Sequence, residues 1–247
     1  MRNFVVTFFA LPAILFISSC SSRGKLEIKG DPTAVQLAQV MMDSLGGRAK
    51  WEKLRSVYVR TLNYVSSGDE NYVLEEWIDL DKPRVMNRKS LETYSVVQIL
   101  DGNEGWQIRN DNLNLMNSQT ITDILDWYDH YYMRALRILA TGGEDIEVKM
   151  NGFTRFDLYQ AGNFLGGFEV NENKYPERYF NMPSNRLENS VIITKWGEYK
   201  GYKYPLEIHP RESLSIFKTD YWNPSESDPE TAFNISYNPN IELERLK

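Results

Sequence analysis

Few residues in this sequence could do covalent or metal chemistry. Its two histidines are His130 and His209. The first lies close to Asp123, Asp126 and Asp129 in a segment with helical periodicity. Carboxylates and a histidine on one helix face could hold a divalent metal, although a solvated polar face gives the same pattern. We favour the solvated face, so no metal site is predicted.

Pairs of acidic residues are the second candidate for a catalytic site. Glu75 and Glu76 are adjacent, and Asp79 and Asp81 follow in the same strand-like segment. A glycosidase needs two carboxyl groups that converge across a cleft, whereas adjacent residues of a strand point to opposite faces. The zinc-protease, serine-hydrolase, Walker A and dinucleotide-binding motifs do not occur in the sequence. We therefore predict no catalytic residue, no cofactor and no enzymatic activity; a hydrolase with convergent carboxylates or a histidine site is one alternative.

Composition narrows the class of partner. The chain has 247 residues, of which 42% are hydrophobic and 13% aromatic, and its net charge is -6 at pH 7. A nucleic-acid partner requires a basic surface that neutralises phosphates, and this acidic chain has no basic stripe. Nucleic acid is therefore excluded from the predicted partners. The length suffices for one large β domain or two small ones.

The first residues have the pattern of an export signal. Arg2 precedes an apolar run at 4–17, which is short for a transmembrane helix, and the sequence ISSC follows at 17–20. This quartet resembles a bacterial lipobox, in which the cysteine is diacylated and becomes the new N-terminus. Since Cys20 is the one cysteine of an exported chain, we predict that it is the lipid attachment site. An ordinary secretory signal is the alternative.

The predicted anchor sets the domain organisation. Residues 1–19 are a lipoprotein signal peptide, 20–31 a polar tether and 32–247 one domain, because no linker or long repeat divides them. Two or three acyl chains hold a protein stably on a membrane, so the mature protein is expected on a membrane without crossing it. No acidic run follows Cys20, and this favours the outer membrane with the domain facing the periplasm.

Residues 118–143 are the one long segment with helical periodicity and clear ends. Thr120 and Asp123 resemble a capping pair at its start, and Gly142 with Gly143 supplies the stop. We predict one helix that lies across a curved sheet as a lid. A shorter helix is predicted from Pro32, with Asp31 as its N-cap, and another at 48–54. The apolar face of the long helix comprises Ile121, Ile124, Leu125, Tyr128, Tyr131, Tyr132, Ala135, Leu136 and Leu139.

Most other segments alternate with a period of two and predict strands separated by turns. The sheet is expected to be antiparallel, with hairpins between consecutive strands. The predicted strands are 56–65, 72–80, 84–90, 94–100, 106–108, 146–150, 153–159, 164–170, 177–181, 190–199, 203–209 and 214–221, with a last short strand inside 232–247.

The run at 77–110 carries a family resemblance. An aromatic strand beginning at Trp77 leads into Lys82 and Pro83, a second strand follows, and an Asp-Gly turn at 101–102 precedes Trp106. This order resembles the LolA/LolB-type carriers of outer-membrane lipoproteins. The resemblance implies a mainly β fold with helices, in which one strongly curved antiparallel sheet forms an open half-barrel and helices cover its concave face.

The resemblance also implies a ligand. In the family the cavity holds the acyl chains of lipoproteins, so we expect this protein to bind a lipid or lipoprotein acyl chains and to take part in lipoprotein sorting or transport. The turn at 66–71 is polar at every position, whereas the lipidated carriers have a protruding apolar residue there. Binding is therefore predicted, and delivery into a membrane is not. The alternative is a non-enzymatic envelope scaffold that docks a protein partner.

The inner face of the sheet must be filled by side chains, by a helix or by a ligand. Val57, Val59 and Val65 share one face of the predicted strand and could form a packed layer. Residues on the other face could then line the concave side. The sequence fits either orientation. The candidate cavity residues are Tyr58, Leu62, Tyr64, Trp77, Trp106, Leu125, Tyr128, Tyr132, Leu136 and Trp196.

Overall fold

The structure is a computed structural model that describes residues 26–65, 70–110, 112–183, 190–210 and 215–227. The predicted signal peptide, the lipid attachment site Cys20 and the last predicted strand lie outside the described residues. These three assignments stay predictions.

The described chain forms fourteen strands and four helices. The helices are α1 (Pro32–Ser44), α2 (Arg48–Trp51), α3 (Ser118–Asp129) and α4 (Tyr132–Thr141). The first seven strands are β1 (Lys29–Gly30), β2 (Ser56–Tyr64), β3 (Tyr72–Asp79), β4 (Arg84–Ser90), β5 (Ser95–Asp101), β6 (Glu104–Arg109) and β7 (Asn112–Leu115). The other seven are β8 (Ile146–Met150), β9 (Arg155–Gln160), β10 (Asn163–Val170), β11 (Pro176–Phe180), β12 (Ser190–Tyr199), β13 (Tyr202–Pro210) and β14 (Ile216–Ser225).

All strands belong to one sheet in the order β1-β8-β9-β10-β11-β12-β13-β14-β2-β3-β4-β5-β6-β7. Neighbours pair antiparallel, except that β1 pairs parallel with β8. The sheet does not close, because β1 and β7 remain at its two edges. The predicted fold class, a mainly β chain with one open sheet and helices, is confirmed.

The helices cover one face of this sheet. A single core cluster joins the four helices to Val57 and Leu100 on one half of the sheet and to Ile146 and Phe168 on the other. Strands so far apart in the sheet can share one core only if the sheet bends around the helices. The face that the helices cover is therefore the concave one.

The start of α1 follows the sequence prediction. Asp31 precedes Pro32 and accepts a hydrogen bond from the Thr33 amide at 2.7 Å. Upstream, Leu26 is buried, and its amide donates to Gln39 Oε1 at 2.7 Å. Together with the pairing of β1 and β8, this hydrogen bond fixes the chain where it enters the fold.

The prediction of one helix over 118–143 is wrong, because the structure has two. His130 ends α3, and Tyr131 has extended backbone angles, φ -70° and ψ 125°, before α4 begins. The Tyr179 hydroxyl of β11 donates to the His130 carbonyl at 2.7 Å. This bond satisfies one of the carbonyls that the end of α3 leaves without a helical partner. The predicted stop is confirmed, since Gly142 caps α4 at φ 68°.

The N-cap of α3 also differs from the prediction. Asn117, and not a Thr120–Asp123 pair, caps the helix, and its side chain accepts from the Thr120 amide at 2.8 Å. We expect Asn117→Ala to lower the free energy of unfolding by about 1 kcal/mol, measured by urea denaturation. Asn117→Ser retains a capping oxygen and should lose less; equal losses for both substitutions would contradict the capping role.

Candidate ligand-binding cavity

A cavity of about 470 Å³ lies between the concave face of the sheet and the junction of α3 with α4. The neighbouring strands β12, β13, β14, β2 and β3 form one wall, α3 and the junction form the opposite wall, and the end of β11 with the chain after it forms the third side. Apolar side chains make up most of its lining. The lining residues are Val59, Thr61, Leu74, Glu76, Val191, Ile208, Pro210, Phe217, Thr219, Asp123, Asp126, Trp127, His130, Tyr131, Tyr132, Tyr179, Asn181, Met182 and Pro183.

Aromatic rings hold the helical side of the cavity in place. Ring centroids are 4.8 Å apart for Trp127 and Tyr131, 5.1 Å for Tyr131 and Tyr132, and 6.2 Å for Tyr132 and Tyr179. Burial raises the pKa of the Tyr131 and Tyr132 hydroxyls well above the ordinary value, so both stay neutral. The break between the two helices therefore places neutral aromatic rings against the cavity and joins them to β11.

Glu76 is the acidic residue of the sheet wall. It is half-buried on β3 and lines the cavity together with its cross-strand neighbour Val59. Among the described residues it has no hydrogen-bond or ion-pair partner. Burial raises its pKa from the ordinary 4.5 to about 7, because the surroundings disfavour the charged form.

The acidic pairs considered for catalysis do not converge. Glu75 lies on the other face of β3, where it accepts from the Tyr58 hydroxyl at 2.8 Å and pairs with Arg88. Asp79 accepts from the amide of Asp81 at 2.8 Å and therefore shapes the turn after β3. Adjacent strand residues point to opposite faces, as the alternation predicts, and this separates Glu75 from Glu76.

The helical carboxylates lie on a solvated face, as the sequence predicted. Asp123, Asp126 and Asp129 are exposed, and Asp123, Asp126 and the half-buried His130 also border the cavity beside Trp127. His130 Nδ1 is 2.9 Å from the Asp126 carbonyl oxygen and 3.6 Å from its carboxylate. Across the described ranges, no group of three or more potential metal ligands comes together.

Of the ten candidate cavity residues, Tyr132 lines this cavity. Three others, Tyr128, Leu136 and Leu125, lie in or against the main core. Trp196 also packs against this core, with its ring 5.8 Å from that of Tyr175. These four side chains fill space between the helices and the sheet.

The other five candidates lie on the opposite, convex face. Val57 and Val59 face the helices, so alternation turns Tyr58, Leu62 and Tyr64 outward. The rings of Tyr58 and Trp77 are 4.5 Å apart. Farther along the sheet, Trp77 and Trp106 flank a small separate cluster of Met86, Val97, Ile99 and Ile108.

Sequence reasoning did not assign Val59, Thr61 and Glu76 to a cavity, nor Val191 and Phe217 from the late strands. Val59 was expected in a packed layer, and Glu76 was weighed only as half of a catalytic pair. No local signal distinguishes Glu76 from its neighbour Glu75, because the sequence does not determine which face of the strand points inward.

None of the helices in the described part of the chain has the length and apolar character needed to cross a membrane. No protein-family profile and no curated protein matches the sequence. The fold is similar to that of a DUF1329 family protein from Desulfovibrio piger, with a TM-score of 0.44 and 6% identity, over 81% of this chain and 97% of that chain. The resemblance of residues 77–110 to the LolA/LolB-type carriers stays a prediction.

Proposed function

We propose that this protein is a lipid-anchored protein of the bacterial envelope that binds a hydrophobic ligand in the cavity between α3–α4 and the sheet. The ligand is a lipid or the acyl chains of lipoproteins, and the role is in lipoprotein sorting or transport. The anchor is Cys20, on the outer membrane with the domain facing the periplasm. One observation carries the proposal: a largely apolar cavity of about 470 Å³ under a helical cover.

The size of the cavity supports a ligand the size of an acyl chain. Small-molecule sites have volumes of about 300–1,000 Å³ and are lined mainly by apolar and aromatic groups with a few polar ones. A chain of about 16 carbons gains on the order of 12 kcal/mol gross on burial, at about 0.8 kcal/mol for each methylene. Losses of translational and conformational freedom reduce this figure, and the remainder suffices for micromolar affinity.

The same cavity bears on the scaffold alternative. A scaffold needs no internal space, so its concave side should be filled by its own side chains. Here Val59 and Leu74 on the sheet and Trp127 and Tyr131 on the helical side line a cavity of about 470 Å³. This arrangement supports ligand binding over a scaffold role.

Purification tests the proposal directly. The mature chain, secreted with Cys20→Ser so that it carries no acyl chain of its own, should show a bound lipid by native mass spectrometry. After delipidation it should also bind N-phenyl-1-naphthylamine, an uncharged probe whose fluorescence rises in apolar surroundings. A protein that carries no lipid and binds no probe would overturn the proposal.

Filling the cavity should weaken this binding. Val191 lines the cavity, whereas the next residue of β12, Ile192, is not among its lining residues. We expect Val191→Trp to weaken probe binding by about tenfold, because the indole occupies ligand space. Ile192→Trp is the matched control, and fluorescence titration is the measurement. Equal affinities for the two variants would place the probe elsewhere on the protein.

A further inference from the structure

The cavity has one polar feature that its apolar lining does not explain. Glu76 enters from the sheet, and among the described residues its carboxyl group makes no hydrogen bond and no ion pair. A polar group that is partly withdrawn from water without a partner loses free energy of hydration, and a charged group loses more. A ligand that brings a donor to this point removes that cost when it binds.

The groups around Glu76 are carboxyl groups, an imidazole, hydroxyls and side-chain amides. On the helical side they are Asp123 and Asp126 of α3, His130 at its end, and the hydroxyls of Tyr131 and Tyr132. Asn87 of β4 and Gln98 of β5 lie beside Glu76 in an adjoining hollow. Tyr72 of the same strand is also near, since burial and then the charge of Glu76 raise the pKa of its hydroxyl.

The basic groups on this side of the sheet line other hollows. Lys89 and Arg109 line one of them with Tyr72 and Tyr94, and Arg134 of α4 lines another with Asp129 and His130. Lys89 Nζ lies 4.1 Å from the Tyr72 ring centroid, and the Arg109 guanidinium lies 5.2 Å from the Tyr94 centroid. Among the described lining residues of the cavity itself there is no lysine or arginine. An anionic head group would therefore meet carboxylates there without a compensating cation.

We propose that the cavity selects amphiphiles whose head group is a cation or a neutral hydrogen-bond donor, such as a long-chain amine, over amphiphiles with a carboxylate head. This inference rests on the proposed function, since it assigns the head-group chemistry of the same cavity. Glu76 accepts the hydrogen bond from the head group, and the apolar walls hold the chain.

The protonation of Glu76 gives this selectivity a pH dependence. Burial raises its pKa to about 7, so the carboxylate that attracts an ammonium forms as the pH rises through this value. Affinity for a long-chain amine should therefore be high at pH 8 and lower at pH 5.5, where Glu76 is neutral.

Displacement of N-phenyl-1-naphthylamine by dodecylamine, dodecanol and dodecanoate, all below their micellar concentrations, measures the preference. With the secreted Cys20→Ser chain at pH 8, dodecylamine should bind about tenfold or more tightly than dodecanoate, with dodecanol between them. Its advantage should shrink at pH 5.5.

Glu76→Gln should remove most of the preference for the amine at pH 8, while Glu75→Gln, on the other face of the same strand, should keep it. Circular dichroism shows whether each variant is folded. Equal binding of amine and carboxylate, tighter binding of the carboxylate, or an unchanged preference in Glu76→Gln would overturn the inference and leave the proposed function intact. A probe that never binds would overturn the proposed function itself.

Discussion

Asp157→Ala is expected to lower the free energy of unfolding by about 3–5 kcal/mol, because it removes one partner of a buried ion pair. Asp157 Oδ1 accepts from Arg155 Nε at 2.7 Å, and the two side chains are 4% and 7% exposed. Its other oxygen accepts from Asn151 Nδ2 at 2.8 Å. The guanidinium lies 3.7 Å from the Phe180 ring centroid, so it stays buried after its carboxylate partner is lost.

Urea denaturation at pH 7 measures this loss. A matched control is Glu147→Ala on the adjacent strand β8, where the Lys149–Glu147 pair has the same charges but is 54% and 40% exposed. Exposed pairs contribute little, so this variant should be nearly as stable as the parent protein. Replacing Arg155 and Asp157 together by leucine should recover much of the stability, since no buried charge remains. A loss for Asp157→Ala no larger than for Glu147→Ala would contradict the prediction.

Glu76→Gln is expected to stabilise the ligand-free protein by up to about 3 kcal/mol at pH 8. The folded protein raises the pKa of Glu76 from 4.5 to about 7, and each pKa unit corresponds to about 1.4 kcal/mol. Between about pH 4.5 and pH 7, the Glu76 carboxyl group is therefore protonated in the folded state and ionised in the unfolded state. Stability falls as pH rises from about 4.5 to about 7 and stays reduced above it.

The pH profile distinguishes this effect from other changes in packing. Glutamine is neutral at every pH, so the variant and the parent protein should be equally stable near pH 4.5 and should diverge up to about pH 7. Urea midpoints collected across this range give the difference. Glu75→Gln, which faces Arg88 and Tyr58, should give no gain at pH 8. A difference for Glu76→Gln that does not vary with pH would contradict the assigned cause.

Local patterns predicted most strands and helix ends correctly. The strands at 84–90, 146–150 and 190–199 have the predicted bounds, and α1 begins at Pro32. Alternation, turn residues and a capping aspartate act over a few residues, so a sequence shows them directly. The short strand β7 was missed because its sequence, NLNL, has neither β-branched nor aromatic residues.

The break between α3 and α4 could not be predicted from the sequence. The apolar periodicity continues through His130 and Tyr131, and neither glycine nor proline marks the break. The bond that satisfies the His130 carbonyl comes from Tyr179, which is 49 residues away. Only the folded sheet brings this hydroxyl to the end of α3, so no local pattern contains the information.

The face of the strands that lines the cavity was equally hidden. Tyr58 and Trp77 are as apolar as Val59 and Leu74, so the sequence pattern is consistent with burial of either face of β2 and β3. The structure turns the first pair outward and the second pair toward the cavity. Strand residues alternate between the two faces, so one wrong choice of face misplaces every side chain of the strand. This ambiguity accounts for most of the candidate residues that lie outside the cavity.

If Cys20 is acylated, as proposed, the fixed position of Leu26 limits how far the domain can move from the membrane. With an acylated Cys20, about six residues join the lipid to a point held by the Gln39 side chain and by β8. A fully extended segment of this length reaches about 20 Å. Under the proposed lipid anchor, a connection this short would hold the domain within a narrow layer above its own bilayer, and a ligand from another membrane would have to be brought to it by a soluble carrier.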